Sequence, residues 1–96
     1  MQTNFYIHIS IQTQDGPKSI GRFELGSDRE AASNLFRKLK GSREVNGKDM
    51  LYIEFTDTVN GLPLNIDVLS CDLQELGTNT MLITQELFRL ANLKIK

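Results

Sequence analysis

The clearest pattern in the chain is a strict alternation of apolar and polar residues near its N-terminus. Every second residue from Phe5 to Ile11 is apolar, with isoleucine at positions 7, 9 and 11, and the residues between them are mostly polar. A two-residue period is typical of a β-strand that buries one face. Similar alternation around Phe23, across residues 51–56 and again before Cys71 predicts three further strands.

A turn signal, QDGP, joins the first two strands into a hairpin. A two-residue loop would mix the two faces of the sheet, whereas a loop of odd length places Phe23 with the isoleucines. We therefore predict an odd-length loop. It leaves His8 on the polar face, across from Arg22 or Glu24.

Asn60 and Gly61 join the third and fourth strands, because both residues tolerate the positive φ angles of a two-residue type I′ turn. The register set by this turn predicts four neighbouring pairs: Phe55 with Ile66, Ile53 with Val68, Glu54 with Asp67, and Met50 with Cys71. The third pair brings two carboxylates together, and a basic neighbour, solvation or a bound cation would offset their repulsion.

A first helix is predicted over about residues 28–40. Ser27 and Glu30 form a capping signature at its start, and Gly41 stands where it would end. Its apolar residues fall in one stripe at the helical period, which predicts a surface helix that covers the core.

A second helix is predicted from about residue 78 to Leu93, after a short turn that begins at Asp72 with Glu75 and closes at Gly77. Its predicted core face consists of Met81, Ile83, Leu87, Phe88, Leu90 and Ala91, and Leu82 lies outside that face.

These elements predict one α+β domain over residues 1–96, in the order ββαββα. Its four-stranded, mostly antiparallel sheet is expected to carry both helices on one face. The halves 1–48 and 49–96 have the same order of elements, and the tripeptide LFR occurs in each. A duplicated ββα unit is one explanation of this likeness, and chance is the other.

The composition is that of an ordinary globular domain. The chain has 96 residues, 40% of them hydrophobic and 24% charged, with a net charge of −1. This balance produces no field that would attract nucleic acid or a membrane. No secretory signal or bilayer-spanning run is recognisable, so a cytoplasmic location is expected.

Little in the chain indicates catalysis. Cys71, the one cysteine, is flanked by Asp72, whose negative charge disfavours a thiolate, and it is expected to be structural. The one histidine, His8, is expected to be a solvated strand residue with a cross-strand partner. Phosphate-binding, zinc-protease and nucleophile-elbow motifs are missing, so we expect neither an enzyme nor a cofactor or metal.

The function favoured by these features is a small interaction module that forms a homodimer, with another protein partner as a further possibility. Leu82 and Leu93 are predicted to face outward from the second helix, where Glu86 of each copy would reach Arg89 of the other. A second possible interface is the open face of the sheet, around Tyr6, Tyr52 and Leu69.

The alternative function is binding of a nucleic acid or a phosphate ligand at the basic end of the first helix. Four basic residues cluster there: Arg37, Lys38, Lys40 and Arg43. The same residues would also complement the negative end of the helix dipole, and they lack interleaved aromatic residues. We therefore expect no specific nucleic-acid binding.

Overall fold

The computed structural model describes residues 3–43 and 51–90, in which the elements follow the predicted order. They are β1 (Thr3–Thr13), β2 (Gly16–Gly26), α1 (Arg29–Lys38), β3 (Leu51–Val59), β4 (Leu62–Cys71) and α2 (Leu73–Leu90). The strands form one antiparallel sheet in the order β2-β1-β3-β4, so β2 and β4 are its edges. The helices pack on one face of this sheet, and the predicted α+β fold is confirmed.

The hydrophobic core lies between the sheet and the two helices. Phe36 of α1 stacks on Phe55 of β3 with ring centroids 5.2 Å apart, and Phe5 of β1 approaches the same ring to 5.9 Å. Ile83 is fully buried and joins α2 to this cluster. Each such side chain stabilises the fold by roughly 1.5–3 kcal/mol relative to an exposed one.

The first hairpin places Phe23 on the core side, as predicted, but a β-bulge and not the length of the loop is the cause. Its loop contains two residues, because Thr13 pairs with Gly16, so the predicted odd-length loop is wrong. The extra residue is instead Ile20, where the register of β2 shifts by one. This β-bulge restores the parity of the strand, since one inserted residue exchanges its two faces.

The second hairpin contains a bulge at the corresponding place. Asn60 (φ 54°) and Gly61 (φ 85°) form the predicted turn, but the register shifts at Ile66. The predicted pairs are therefore wrong, and Met50 lies outside the described residues. The observed pairs are Phe55 with Asp67, Glu54 with Val68, Ile53 with Leu69, and Leu51 with Cys71.

The two hairpins share one construction. Pro63 lies 46 positions after Pro17 (63 minus 17), and Ile66 lies equally far after Ile20, so the prolines and these two bulges correspond, while a second register shift of β2, at Leu25, has no counterpart in β4. In the centre of the sheet His8 pairs with Glu54, which is also 46 positions away (54 minus 8). A local two-fold axis therefore passes between His8 and Glu54, normal to the sheet. Duplication of a whole ββα unit stays a prediction.

Helix α1 begins one residue later than its predicted capping signature. The N-cap is Asp28, not Ser27, and its Oδ1 accepts a hydrogen bond of 3.1 Å from the backbone N–H of Ala31. The helix ends at a C-cap, Leu39, whose backbone is extended (ψ 150°). The chain thus leaves the helix before Gly41 is reached.

Helix α2 begins earlier than predicted. Asp72 and Glu75 form a reciprocal capping box, with the backbone N–H of each residue donating to the side chain of the other at 3.0 and 2.7 Å. The helix then continues through Gly77, which the sequence had suggested as a stop. Hydrogen bonding at the N-terminus outweighs the modest helix cost of one glycine.

A buried asparagine fixes the rotation of α2 about its axis. The Asn79 side chain is fully buried, donating to the carbonyl of Lys40 and accepting from its N–H, each at 2.7 Å. With Asn79 facing inward, Leu82 packs against the core, while Met81 and Phe88 are 54% and 43% exposed. The predicted core face of α2 is therefore wrong in two respects: Met81 and Phe88, predicted inside, are exposed, and Leu82, predicted outside, packs against the core. Ile83 and Leu87 lie in or against the core as predicted.

The segment after α1 is also attached to β4. Ser42 and Ser70 exchange two backbone hydrogen bonds of 2.8 Å. Gly41 precedes this contact with φ 151°, and a Cβ there would lie 2.6 Å from the carbonyl oxygen of Ser70. Any larger residue at position 41 would push this segment away from the sheet.

We expect Asn79→Leu to destabilise the protein by roughly 2–3 kcal/mol, because two hydrogen bonds are lost and the backbone groups of Lys40 must find other partners. Urea unfolding of the purified variant measures this difference. Gln85→Ala, an exposed change on the same helix, is the control and should stay within about 0.5 kcal/mol of the parent. Equal stability of Asn79→Leu and the control would contradict the assigned role of Asn79.

Candidate interaction surface

The face of the sheet that points away from the helices is the candidate functional surface. The thinnest dimension of the molecule is 20 Å, which corresponds to one sheet and one layer of helices about 10 Å apart. Within residues 3–43 and 51–90, no element covers this open face. Its central side chains are Tyr6, His8 and Ser10 of β1 and Tyr52, Glu54 and Thr56 of β3.

A row of four polar side chains, one from each strand, crosses the open face. Ser19 Oγ and His8 Nε2 are hydrogen-bonded at 2.7 Å, and His8 Nδ1 lies 3.7 Å from Glu54 Oε1. Asn65 Nδ2 donates to Glu54 Oε2 at 3.1 Å. Ser19 and Asn65 correspond through the local two-fold axis, as His8 and Glu54 do. This polar row therefore has two similar halves.

Part of the polar row has the order of a catalytic triad: Ser19, His8 and then Glu54. Two observations favour a structural role. The separation of 3.7 Å between His8 Nδ1 and Glu54 Oε1 exceeds a hydrogen bond, and Asn65 holds the other carboxylate oxygen. We interpret the row as a polar link across the sheet, with a hydrogen bond at each end and a longer His8–Glu54 contact between them.

Ser19 and Asn65 are the members of this row that periodicity could not identify. Both lie near a bulge of an edge strand, so their face depends on a register shift that the pattern of residues does not encode. His8 was predicted on the polar face opposite Arg22 or Glu24, and it pairs with Arg22.

Tyr6 and Tyr52 lie on either side of the polar row, half-buried on the predicted face. Each has a small, buried neighbour on the adjacent central strand: Thr56 beside Tyr6, and Ser10 beside Tyr52. Each tyrosine is therefore larger and more exposed than its neighbour on the adjacent central strand.

The ring of Tyr6 is held by a basic side chain. The Arg22 guanidinium lies over the ring, 3.7 Å from its centroid, and donates to Glu24 at 3.0 Å. A cation over an aromatic face at this distance is attractive, by about 0.5–1 kcal/mol at an exposed site. The charge of Arg22 is thus engaged within its own edge of the face.

Leu69, the third residue predicted on the open face, lies instead in the core and is 4% exposed. The bulge at Ile66 exchanges the faces of the residues that follow it, so Val68 takes the predicted place of Leu69. The same shift separates the predicted carboxylate pair, because Glu54 faces Val68 and Asp67 contacts Arg43. Among the described residues, no cluster of three potential metal ligands is found.

The predicted interface of α2 is altered as well. Leu82 packs against the core, and Leu93 lies outside the described residues. Arg89 Nε donates to Glu86 Oε1 at 2.7 Å within the same helix. The hydrogen bond from Arg89 lowers the pKa of Glu86 and raises the pKa of Arg89. The two charges therefore satisfy each other in one chain.

A different part of α2 is exposed and apolar. Leu73, Met81 and Phe88 are 75%, 54% and 43% exposed, and at 100° per residue they fall within an arc of about 80°. The apolar period alone did not separate these residues from the core face. Their exposure follows from the inward orientation of Asn79.

The basic residues at and after the C-terminal end of α1 are partly engaged within the chain. Arg37 contacts Asn34, and Arg43 contacts Asp67 and lies 5.9 Å from the ring centroid of Phe36. Lys38 and Lys40 are exposed, as are both arginines. Two of the four cations thus have partners within the chain, which weakens the predicted alternative of phosphate binding.

Cys71 lies in the core opposite Leu51 and is 2% exposed. A thiol at this depth reaches reagents only when the surrounding structure opens. Its environment fits the predicted structural role and offers no access for a substrate.

The chain matches no protein-family model, no curated protein and no solved structure. In the described part of the chain, neither helix combines the length and apolar character needed to cross a bilayer. The chemistry of the surface therefore supplies the argument for function.

We expect the Cys71 thiol to react with a disulfide reagent roughly 100-fold more slowly in the folded protein than in urea, because reaction requires opening of the core. Thiolate release followed by absorbance measures both rates. A cysteine introduced at exposed Lys18 (Lys18→Cys) is the control and should react at once. Equal rates for Cys71 in both conditions would contradict its burial.

We expect Arg89→Met to raise the pKa of Glu86 toward its ordinary value, since the hydrogen bond from Arg89 is the main cause of the lowered value. NMR titration of the Glu86 carboxyl group measures the change. A lowered folded-state pKa stabilises the protein above the unfolded-state pKa, and this contribution disappears as pH falls through the folded-state value. The stability difference between parent and variant should therefore vanish in acid. Lys38→Met should shift Glu86 less, because Lys38 acts only through space.

Proposed function

We propose that the protein is a small, non-enzymatic, cytoplasmic interaction module that forms a homodimer through the open face of its sheet. The observation that carries this proposal is the position of Tyr6 and Tyr52, half-buried on a sheet face that neither helix covers and each beside a small buried residue. Tyrosine is enriched at protein interfaces because it offers a large apolar ring with one polar atom. The single cysteine, buried and structural, suits a reducing compartment.

The size of the open face is sufficient for a specific dimer. Four strands about 4.8 Å apart and roughly 30 Å long form a face of about 600 Å². Two such faces would bury roughly 1,200 Å², above the approximately 1,000 Å² that separates specific interfaces from incidental contacts. This lower range of sizes agrees with reversible association.

The edges of the sheet are less suited to association. In a two-residue hairpin the closing residues are hydrogen-bonded to each other, so the next residue of the returning strand directs its backbone nitrogen outward. That residue is Pro17 in β2 and Pro63 in β4. Proline has no N–H to donate, and a bulge follows each proline, so both edges are protected against pairing with another strand.

The exposed apolar residues of α2 are one competing surface for self-association, and Leu62, Leu64 and Ile66 of the edge strand β4, 70%, 56% and 44% exposed, are another. Leu73, Met81 and Phe88 replace the predicted pair of leucines on this helix. They are spread over the helix with Gly77 and Thr84 between them, and they have no complementary charges within their arc. We therefore rank this surface below the open face. Binding of nucleic acid or phosphate ranks lower still, because Arg43 and Arg37 already contact Asp67 and Asn34.

We expect the parent protein to dimerise with a dissociation constant on the order of micromolar, as interfaces of this size often do. Tyr52→Glu and Tyr6→Glu should each weaken dimerisation by about tenfold or more, because a carboxylate would be buried without a partner. Sedimentation velocity over a wide concentration range measures the constants, and thermal unfolding checks that each variant is folded.

The matched control is the double variant Met81→Glu plus Phe88→Glu, which removes apolar surface from α2 and should leave the dissociation constant within about twofold. If this control abolishes the dimer and the tyrosine variants do not, the interface lies on α2. A parent protein that stays monomeric up to about 0.5 mM, far above a micromolar constant, would overturn the proposed function.

A further inference from the structure

We infer that the second copy packs with its two-fold axis parallel to the strands, above the boundary between β1 and β3, so that His8 of each copy faces the partner's Glu54. This inference rests on the proposed dimer and adds its geometry. It follows from the pairing of the two central strands, the sizes of their side chains and the signs of their charges.

The pairing of β1 with β3 determines which side chains of the two copies lie opposite each other. Their antiparallel register places Tyr6 beside Thr56, His8 beside Glu54, and Ser10 beside Tyr52. The inferred two-fold axis is parallel to the strands and lies above the boundary between β1 and β3. Rotation about this axis places β1 of one copy over β3 of the other. Each residue of β1 then lies over the partner's copy of its own cross-strand neighbour. Such a nearly aligned packing of strand directions is usual for two stacked sheets.

The side-chain sizes are complementary in this arrangement. The ring of Tyr6 lies above the partner's Thr56, and the ring of Tyr52 lies above the partner's Ser10. Thr56 and Ser10 are small and only 5% and 3% exposed, so neither projects beyond its neighbours to oppose the partner's ring. All four rings of the dimer interleave, and no two large side chains meet end to end.

The polar groups are complementary as well, because an imidazole, which can donate, lies against a carboxylate, which accepts. The imidazole of His8 lies over the partner's Glu54 carboxylate, and this contact occurs twice by symmetry. A two-fold axis perpendicular to the strands would instead stack His8 on His8 and Glu54 on Glu54, which brings two carboxylates together. Juxtaposed like charges oppose association, so the parallel axis is favoured.

The side chains of this contact are already held in place. Ser19 and Asn65 bind the outer ends of the polar row, while Arg22 is engaged by Glu24 and the Tyr6 ring. Side chains fixed before association lose less conformational entropy when they meet a partner. The polar row thus prepares His8 and Glu54 for contact with the second copy.

Charge exchange tests the arrangement. His8→Glu places a carboxylate over the partner's Glu54, and we expect it to weaken dimerisation by about tenfold or more. Glu54→Lys removes the carboxylate under His8 and should weaken the dimer also. The double variant His8→Glu plus Glu54→Lys again pairs opposite charges across the axis, and it should bind within about threefold of the parent.

The controls separate charge from folding. His8→Gln and Glu54→Gln keep a polar side chain at each site and should weaken the dimer less than the charged single variants. The double exchange Asp15→Lys plus Lys18→Glu alters charges at the exposed tip of the first hairpin and should have no effect. Sedimentation velocity gives each dissociation constant, and thermal unfolding identifies any variant that is not folded.

Each outcome bears on a different claim. Recovery of dimerisation in the double variant supports the parallel axis. If the double variant stays as weak as His8→Glu while the parent dimer remains sensitive to Tyr52→Glu, the open-face dimer stands and the inferred axis is wrong. Full dimerisation of every single variant would also overturn the axis. Failure of the proposed function is recognised separately, by a monomeric parent protein.

Discussion

The two-residue period of a β-strand is the constraint on which the rest of this structure depends. In both hairpins, the two-residue turn alone would place the apolar core residues of the returning strand on the face away from the helices. An extra residue, Ile20 in β2 and Ile66 in β4, corrects this placement, and β2 has a second register shift at Leu25. Leu69 and Cys71 thereby enter the core. These insertions determine which face of the sheet each later residue of an edge strand occupies.

The central strands, the order of elements and the Asn60-Gly61 turn could be predicted because local chemistry determines them. The bulges could not, since β4 is apolar at both parities and its pattern fits either register. The orientation of α2 was missed for a related reason. Its inward position Asn79 is polar, and its hydrogen bonds join residues separated by 39 positions. A pattern of apolar residues contains no information about such a long-range contact.

The candidate surface was predictable only in part. Tyr6 and Tyr52 lie on strands whose alternation is unambiguous, and they are on the face that the sequence indicates. The residues from the edge strands, Ser19 and Asn65, depend on the bulges and were not identified. The likeness of the two hairpins gives this face approximate internal symmetry.

The attachment of the segment after α1 has a consequence for folding. The Asn79 side chain accepts a hydrogen bond from the backbone N–H of Lys40, 39 positions earlier in the chain. The Ser70 hydroxyl donates to the backbone carbonyl of Ser42, 28 positions earlier. Neither contact can form until the second hairpin has assembled, so the first three elements gain their final support late. Closing such long loops is entropically costly and slows folding. During synthesis on the ribosome, the N-terminal half would therefore emerge with its helix only loosely held, and would acquire its full stability after α2 is released.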